Sequence, residues 1–210
     1  HKLAKKKGYH FFFFFGHYEY YPRFGYLKEA FAQGGIKVKE DDIPSYNKSL
    51  KTKMPGNKDI SFLIRLWKKN FINTGLSIFP GKSITDWLSH TSNVKTLIIQ
   101  IGGINKGYIR YIKGNENKPI MLLAEDSETL IKIISYLKTK SKGETEKNNE
   151  FIIPLHPQNE NIKGMKTRLP YTSFLRTHPA FMIKVLKSDS SINFRENQGV
   201  FILPPHFDVA

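Results

Sequence analysis

Aromatic and basic side chains alternate near the start of this chain in a pattern suited to a polyanion. Lys5, Lys6 and Lys7 precede His10, His17, Tyr20, Arg23 and Tyr26, and the mixture returns in Arg65, Trp67, Lys68 and Lys69. Ring faces stack on unpaired bases while cations hold phosphates, which is the chemistry of single-stranded nucleic-acid binding. A second basic group is Lys163, Lys166, Arg168, Arg176 and His178, with Met165, Leu169 and Tyr171 interspersed as packing residues. His178, two residues from Arg176, reads as a hydrogen-bonding group at a strand start and not as a catalyst.

Motifs for turnover are poor. The chain has no Gly-x-x-x-x-Gly-Lys-Ser/Thr loop, no Gly-x-Ser-x-Gly elbow and no His-Glu-x-x-His helix. Gly102-Gly103 follows a strand pattern, but the residues after it lead into a turn and another strand. His10 and His17 with Glu19, and His206 with Asp208, could bind a metal, but neither set offers three ligands at a fixed spacing. Cysteine is absent, which excludes disulfides, thiolate zinc sites and thiol nucleophiles. The expectation is no catalytic residue, no metal and no cofactor.

The 210 residues include 33 Lys and Arg against 18 Asp and Glu, a net charge of +15, and 40% are apolar. That composition is too apolar for a disordered chain, and its positive field attracts nucleic acid by counterion release. The longest apolar run, Phe11 to Phe15, is about a quarter of the ~20 residues a spanning helix needs, and it lacks a cleavage site for a signal peptide. Neither a membrane nor secretion is expected. The cations are 27 Lys and 6 Arg, and with frequent Ile, Phe and Asn they point to A/T-rich coding, as in an organelle. Residues 1–115 carry +13 and residues 116–210 only +2.

The elements that must position these side chains differ between the two parts. Before residue 116, Pro and Gly punctuate the chain every ten to twenty residues. The spacing predicts short helices over 26–33 and 60–71, the second with Phe62, Leu63, Leu66, Trp67 and Phe71 on one face. Residues 94–101 and 108–112 read as strands, and 113–119 as a polar break. Beyond it, 119–124 reads as a strand. Asp126 or Ser127 caps a helix carrying Leu130, Ile133, Ile134 and Leu137, and a solvated linker covers 138–149. Strands are expected over 151–155, within 174–186 and over 200–203, with a short helix in 188–197. The five phenylalanines Phe11 to Phe15 must be covered by something. The order strand, helix, strand, strand, short helix, strand is a split βαβ arrangement, so the predicted class is an α+β, ferredoxin-like sandwich.

This C-terminal block resembles the small-subunit ribosomal protein S-ten family over residues 118–203. The resemblance rests on Glu125-Asp126 after a strand, on Ile153-Pro154-Leu155-His156-Pro157, on Arg176-Thr177-His178 followed by Met182, Ile183 and Val185, and on Gly199-Val200-Phe201-Ile202-Leu203. It implies a domain at 116–210 with a long protruding hairpin over 154–174. Residues 1–115 become a basic extension of mitochondrial type. It further implies a structural, non-catalytic constituent of the mitochondrial small ribosomal subunit, with rRNA and neighbouring head proteins as partners and no small-molecule substrate. Lys163, Lys166, Arg168, Arg176 and His178 would then contact rRNA in the hairpin, and Lys5, Lys6, Lys7, Arg23, Arg65, Lys68 and Lys69 in the extension. The alternatives are a small phosphate-handling enzyme or nuclease, and a basic peripheral subunit of another organellar complex.

Overall fold

Residues 94–112 fold back on themselves because Gly102 and Gly103 take φ of 59° and 79°, the left-handed pair that matches the twist of a two-residue hairpin. Around this hairpin the computed structural model describes residues 1–29, 32–46, 50–72, 79–141, 149–177 and 180–187. In chain order these form α1 (Lys2–Lys6), β1 (Phe11–Phe15), β2 (Ala32–Lys39), β3 (Lys51–Lys53), α2 (Ile60–Phe71), β4 (Val94–Ile101) and β5 (Ile104–Ile112). They continue as β6 (Met121–Ala124), α3 (Ser127–Lys140), β7 (Glu150–Ile153), α4 (Glu160–Met165), β8 (Thr172–Thr177) and β9 (Phe181–Val185).

Three antiparallel sheets result, in strand orders β3-β4-β5-β6, β7-β2-β8 and β1-β9. The β4–β5 register shifts between Ile99 and Gln100, leaving Lys106 as the extra residue of a bulge. Its carbonyl accepts from the Glu125 N–H at 2.8 Å. The first two sheets meet near the start of β7, where the Ile152 N–H donates to the Asn117 carbonyl at 2.8 Å and Asn117 Nδ2 donates to the Glu150 carbonyl at 3.3 Å. Lys138 Nζ adds bonds to the carbonyls of Glu40 (2.6 Å) and Ile43 (3.1 Å).

One core runs through both sheets. Ile36 and Val38 of β2 and Phe151 and Ile153 of β7 join Ile98, Tyr108, Ile109 and Leu122, all fully buried. Helix α2 contributes Leu63, Leu66, Trp67 and Phe71 at three and four residue spacing, and α3 contributes Leu130, Ile133, Ile134 and Leu137. Each such side chain removed from water contributes about 1.5–3 kcal/mol. Helix α3 presses so closely on β5 that a Cβ on Gly107 would collide with Ile133 Cδ1 and lie 3.1 Å from the Leu123 carbonyl.

Both longer helices agree with the periodicity, and Asp126 caps α3 as expected, its Oδ1 accepting from the Thr129 N–H at 2.7 Å. Phe11 to Phe15 form a strand covered in part by β9, and Phe13 stacks on Phe181 at 5.9 Å. Three expectations are corrected. The helix over 26–33 does not form: Leu27 bridges to Ile183, and β2 begins at Ala32. The hairpin over 154–174 is no protruding arm, because α4 lies within it and Ile162, Met165 and Leu169 are buried in the core. The sheet is not ferredoxin-like, since β2 lies between β7 and β8 while β6 pairs with β5. The helix in 188–197 and the strand over 200–203 lie outside the described residues.

Candidate functional site

Strand β6 ends the four-stranded sheet, so it presents an edge, toward α2 through Asn70 and toward α4 through Asn161. Unpaired backbone at such an edge is a template for an extended chain or ligand. Asparagines close it here. Asn70 Oδ1 accepts from the Ala124 N–H at 3.4 Å, and its Nδ2 donates to the Ala124 carbonyl at 3.0 Å and to the Leu66 carbonyl at 2.8 Å. Asn161 Nδ2 donates to the same Ala124 carbonyl at 2.8 Å, and Asn159 Nδ2 to the Asn70 carbonyl at 2.5 Å. The three side chains are at most 7% exposed.

The turn from β6 into α3 is acidic. Glu125 is gripped by Arg65 Nη1 at 2.8 and 2.9 Å and by Lys69 Nζ at 3.1 Å, and Arg65 with Lys69 holds its carboxyl below the usual range against the opposing pull of burial. Burial works to raise Asp126, yet bonds from Thr129 and the charges of Lys106 and Lys69 outweigh it and leave the group lowered. Glu128 is lowered by its ion pair with Lys132. A carboxyl held low in the folded state stabilises above its unfolded value and loses that contribution as pH falls through the folded one. Glu125→Gln is therefore expected to cost less than about 1 kcal/mol at neutral pH, the size of a half-exposed ion pair. The cost should begin to shrink as pH falls below about 4 and vanish once the folded carboxyl is protonated at lower pH, as read from urea unfolding of both proteins. A pH-independent cost would show that the ion triad contributes nothing.

A second group of polar side chains lies near the chain start. A 3-10 turn, Tyr21–Phe24, begins with Pro22 near its N-terminus and ends at Gly25 in left-handed backbone, φ 79°. It gathers an open cavity of about 420 Å³ lined by His17, Glu19, Tyr20, Tyr21 and Arg23. Arg23 lies 4.2 Å over the Tyr20 ring and its Nε donates to the Tyr20 carbonyl at 2.9 Å. Tyr21 meets Tyr20 edge-on at 5.1 Å and Tyr26 at 5.9 Å. Burial, then the neighbouring Tyr21, pushes the Tyr26 phenol up, and its hydroxyl lies 3.3 Å from His1 Nε2.

This arrangement of sheets and helices has solved counterparts. A GCN5-related N-acetyltransferase from Kribbella flavida superposes with a TM-score of 0.58 at 12% identity, over 88% of this chain and 45% of its own. Another from Anabaena variabilis gives 0.57 at 10%, over 89% and 48%. A probable N-acyltransferase from Enterococcus faecalis gives 0.55 at 14%, over 93% and 49%. The fold is that of the GCN5-related N-acetyltransferases. The chain spans about half the length of these structures, and no protein-family model and no curated protein sequence matches it.

The acetyltransferase fold overturns the ribosomal reading. The ribosomal family and its ferredoxin-like domain give way to a fold whose solved neighbours are acyltransferases, and the structural non-catalytic role and the rRNA and head-protein partners, which rested on that family, go with it. The phosphate-handling enzyme or nuclease is likewise unsupported, and the expectation of no small-molecule substrate goes too. The physical reason is that short apolar motifs in the order strand, acidic turn, helix, strand fit both folds. What separates the folds is the long-range insertion of β2 beside β7.

The structure scatters the residues singled out from sequence. Lys5 and Lys6 lie on exposed α1 with Lys7 at its end, and Arg23 lines the tyrosine cavity. Arg65 and Lys69 are drawn together by Glu125, sixty residues away in sequence for the first, while Lys68 is exposed beside them. Lys163 pairs with Glu160 on α4, and Lys166 and Arg168 are exposed just after it. Arg176 stands in β8 opposite Gln33, and His178 lies outside the described residues. Among the described residues no cluster of three His, Asp or Glu side chains could hold a metal ion, and no helix is long and apolar enough to cross a membrane. Sequence reasoning missed the asparagines. Asn70 carried a signal, being the one polar side chain among Leu63, Leu66, Trp67 and Phe71 on the buried face of α2.

An acyl-CoA donor is an extended chain of amides ending in a pyrophosphate. It needs an open strand edge and N–H groups or cations aimed at the phosphates. The β6–α3 junction does not fit it. Asn70 and Asn161 hold the edge at Ala124, Asp126 takes the Thr129 N–H, and Arg65 and Lys69 are engaged by Glu125.

Proposed function

We propose that this chain works within an N-acyltransferase and supplies the acceptor side of the reaction, with the cavity at His17, Glu19, Tyr20, Tyr21 and Arg23 receiving an amine. The observation that carries this reading is an imidazole, a carboxylate and two phenols around one open cavity, on a fold shared with N-acetyltransferases. An amine is cationic at neutral pH and must lose a proton before its lone pair can attack a carbonyl. The Glu19 carboxylate attracts the cation, and the Tyr21 ring offers it a face, since Arg23 already covers Tyr20. His17 accepts the proton, the task to which histidine as a residue type is suited near neutral pH.

Amine-dependent release of thiol from acetyl-CoA by the whole protein is the measurement. His17→Gln is expected to lower kcat/KM by about 10²-fold or more. Glu19→Gln is expected to raise KM for the amine with little change in kcat, since it attracts substrate and transition state alike. Absence of amine-dependent release from the wild-type protein across primary amines, or full activity in His17→Gln, would defeat the proposal.

A further inference from the structure

We infer that the β6–α3 junction of this chain is closed to acyl-CoA by its own side chains: Asn70 completes the edge of β6 as a bound amide would, and Asp126 caps α3 where a phosphate would. The inference rests on the acetyltransferase fold and concerns a different place from the tyrosine cavity. The Asn70 amide meets Ala124 with both halves, Oδ1 toward the N–H and Nδ2 toward the carbonyl. That is the two-point pairing a neighbouring strand or an amide-bearing ligand makes, so an incoming amide finds donor and acceptor both taken. Asn161 adds a second donor to the same carbonyl, and Asn159 ties α4 to the end of α2 through the Asn70 carbonyl.

The helix end is shut in three ways. Asp126 accepts from the Thr129 N–H, one of the first-turn donors a phosphate would use. Gly164 brings α4 so near that a Cβ there would collide with Ser127 Oγ, so a neighbouring helix partly covers the first residue of α3. Glu125, Asp126 and Glu128 put three carboxylates into residues 125–128, and Arg65 and Lys69 are held by Glu125 at 3.1 Å or less, while the charge of Lys106 bears on Asp126. A pyrophosphate entering here would displace a carboxylate from Arg65, from Lys69 and from the Thr129 N–H. The donor of the proposed reaction must therefore be held away from this junction.

Hydrogen exchange of the full chain, read by peptide with and without coenzyme A, tests the closure. Amides from Ala124 to Leu130 are expected to exchange at the same rate in both, whether or not coenzyme A slows exchange elsewhere. Asp126→Ala is expected to speed exchange at Thr129 about fivefold, the factor a lost N-cap carries, and still to give no protection from coenzyme A there. Slower exchange at residues 124–130 of the wild-type chain on adding coenzyme A overturns the inference. That result would leave the transferase proposal standing, whereas loss of amine-dependent turnover would sink the proposal and leave the closure intact.

Discussion

Truncating Trp87 to alanine lowers the unfolding free energy by about 4 kcal/mol, a large share of the 5–15 kcal/mol that typically holds a domain together. The ring is fully buried and stands edge-on to Tyr108 at 5.6 Å and to Trp67 at 6.2 Å. It also carries polar bonds at both ends of the residue. Nε1 donates to the Gly81 carbonyl at 3.2 Å, and the Trp87 carbonyl accepts from the Tyr108 hydroxyl at 2.6 Å. Alanine leaves a cavity between α2 and β5 and strands the Gly81 carbonyl. Trp87→Phe keeps most of the packing and loses mainly the Nε1 bond, so it is expected to cost about 1–2 kcal/mol. Urea unfolding with an unchanged m-value separates the two. Equal and small losses in both variants would show that the aromatic cluster is not what fixes residues 79–94 against the sheet. Because Trp67 and Asn70 share α2, loosening the cluster is also expected to loosen the asparagine contact with Ala124.

Local elements were legible where one short stretch of chain carries the whole cause. Leu63, Leu66, Trp67 and Phe71 mark the buried face of α2, Asp126 marks the start of α3, and Gly102-Gly103 mark the turn between β4 and β5. Strand β2 was not legible, because its cause lies elsewhere in the chain. Gly34 and Gly35 suggest a break, as glycine in a strand costs conformational entropy and packs nothing. In the folded chain Gly35 sits beneath Phe174 and beside the Ile153 carbonyl, which a Cβ would approach to 2.6 Å. The glycine that argues against a strand is what lets β7 and β8 close on both sides of it.

The same distance effect hid the chemistry. Arg65 and Lys69 look like free cations beside Trp67, and only the fold brings Glu125 between them. His17 and Tyr20 read as rings for stacking on bases and Arg23 as a cation for phosphate, and the fold sets Arg23 over the Tyr20 ring. The net charge of +15 therefore overstates the cations offered to a partner. Arg65 and Lys69, beside the β6–α3 junction, are spent on an internal carboxylate, so charge alone could not distinguish a polyanion binder from a transferase fold.

Replacing Asn70 by aspartate is expected to cost about 3 kcal/mol or more at neutral pH, the range for breaking a buried, hydrogen-bonded polar contact, and far less in acid. Asn70 is 2% exposed, and its Nδ2 donates to two carbonyls, those of Leu66 and Ala124. An ionised aspartate accepts only, so one carboxylate oxygen would face those carbonyl oxygens with no proton between them. Burial and this repulsion both favour the protonated form, which raises the folded-state value above the unfolded one of about 3.9. A group raised on folding loses stability as pH climbs from its unfolded to its folded value. The deficit of Asn70→Asp against wild type is thus smallest below about pH 4, grows through the range above it, and levels off once the folded group ionises. Asn70→Ala removes the same bonds without adding a titratable group, and its deficit should not vary with pH. Unfolding of the two variants and the wild type in acid and at neutral pH compares these shapes directly. A pH-independent deficit in the aspartate variant would mean that residue 70 does not face the Leu66 and Ala124 carbonyls, and the closed edge of β6 would fall with it.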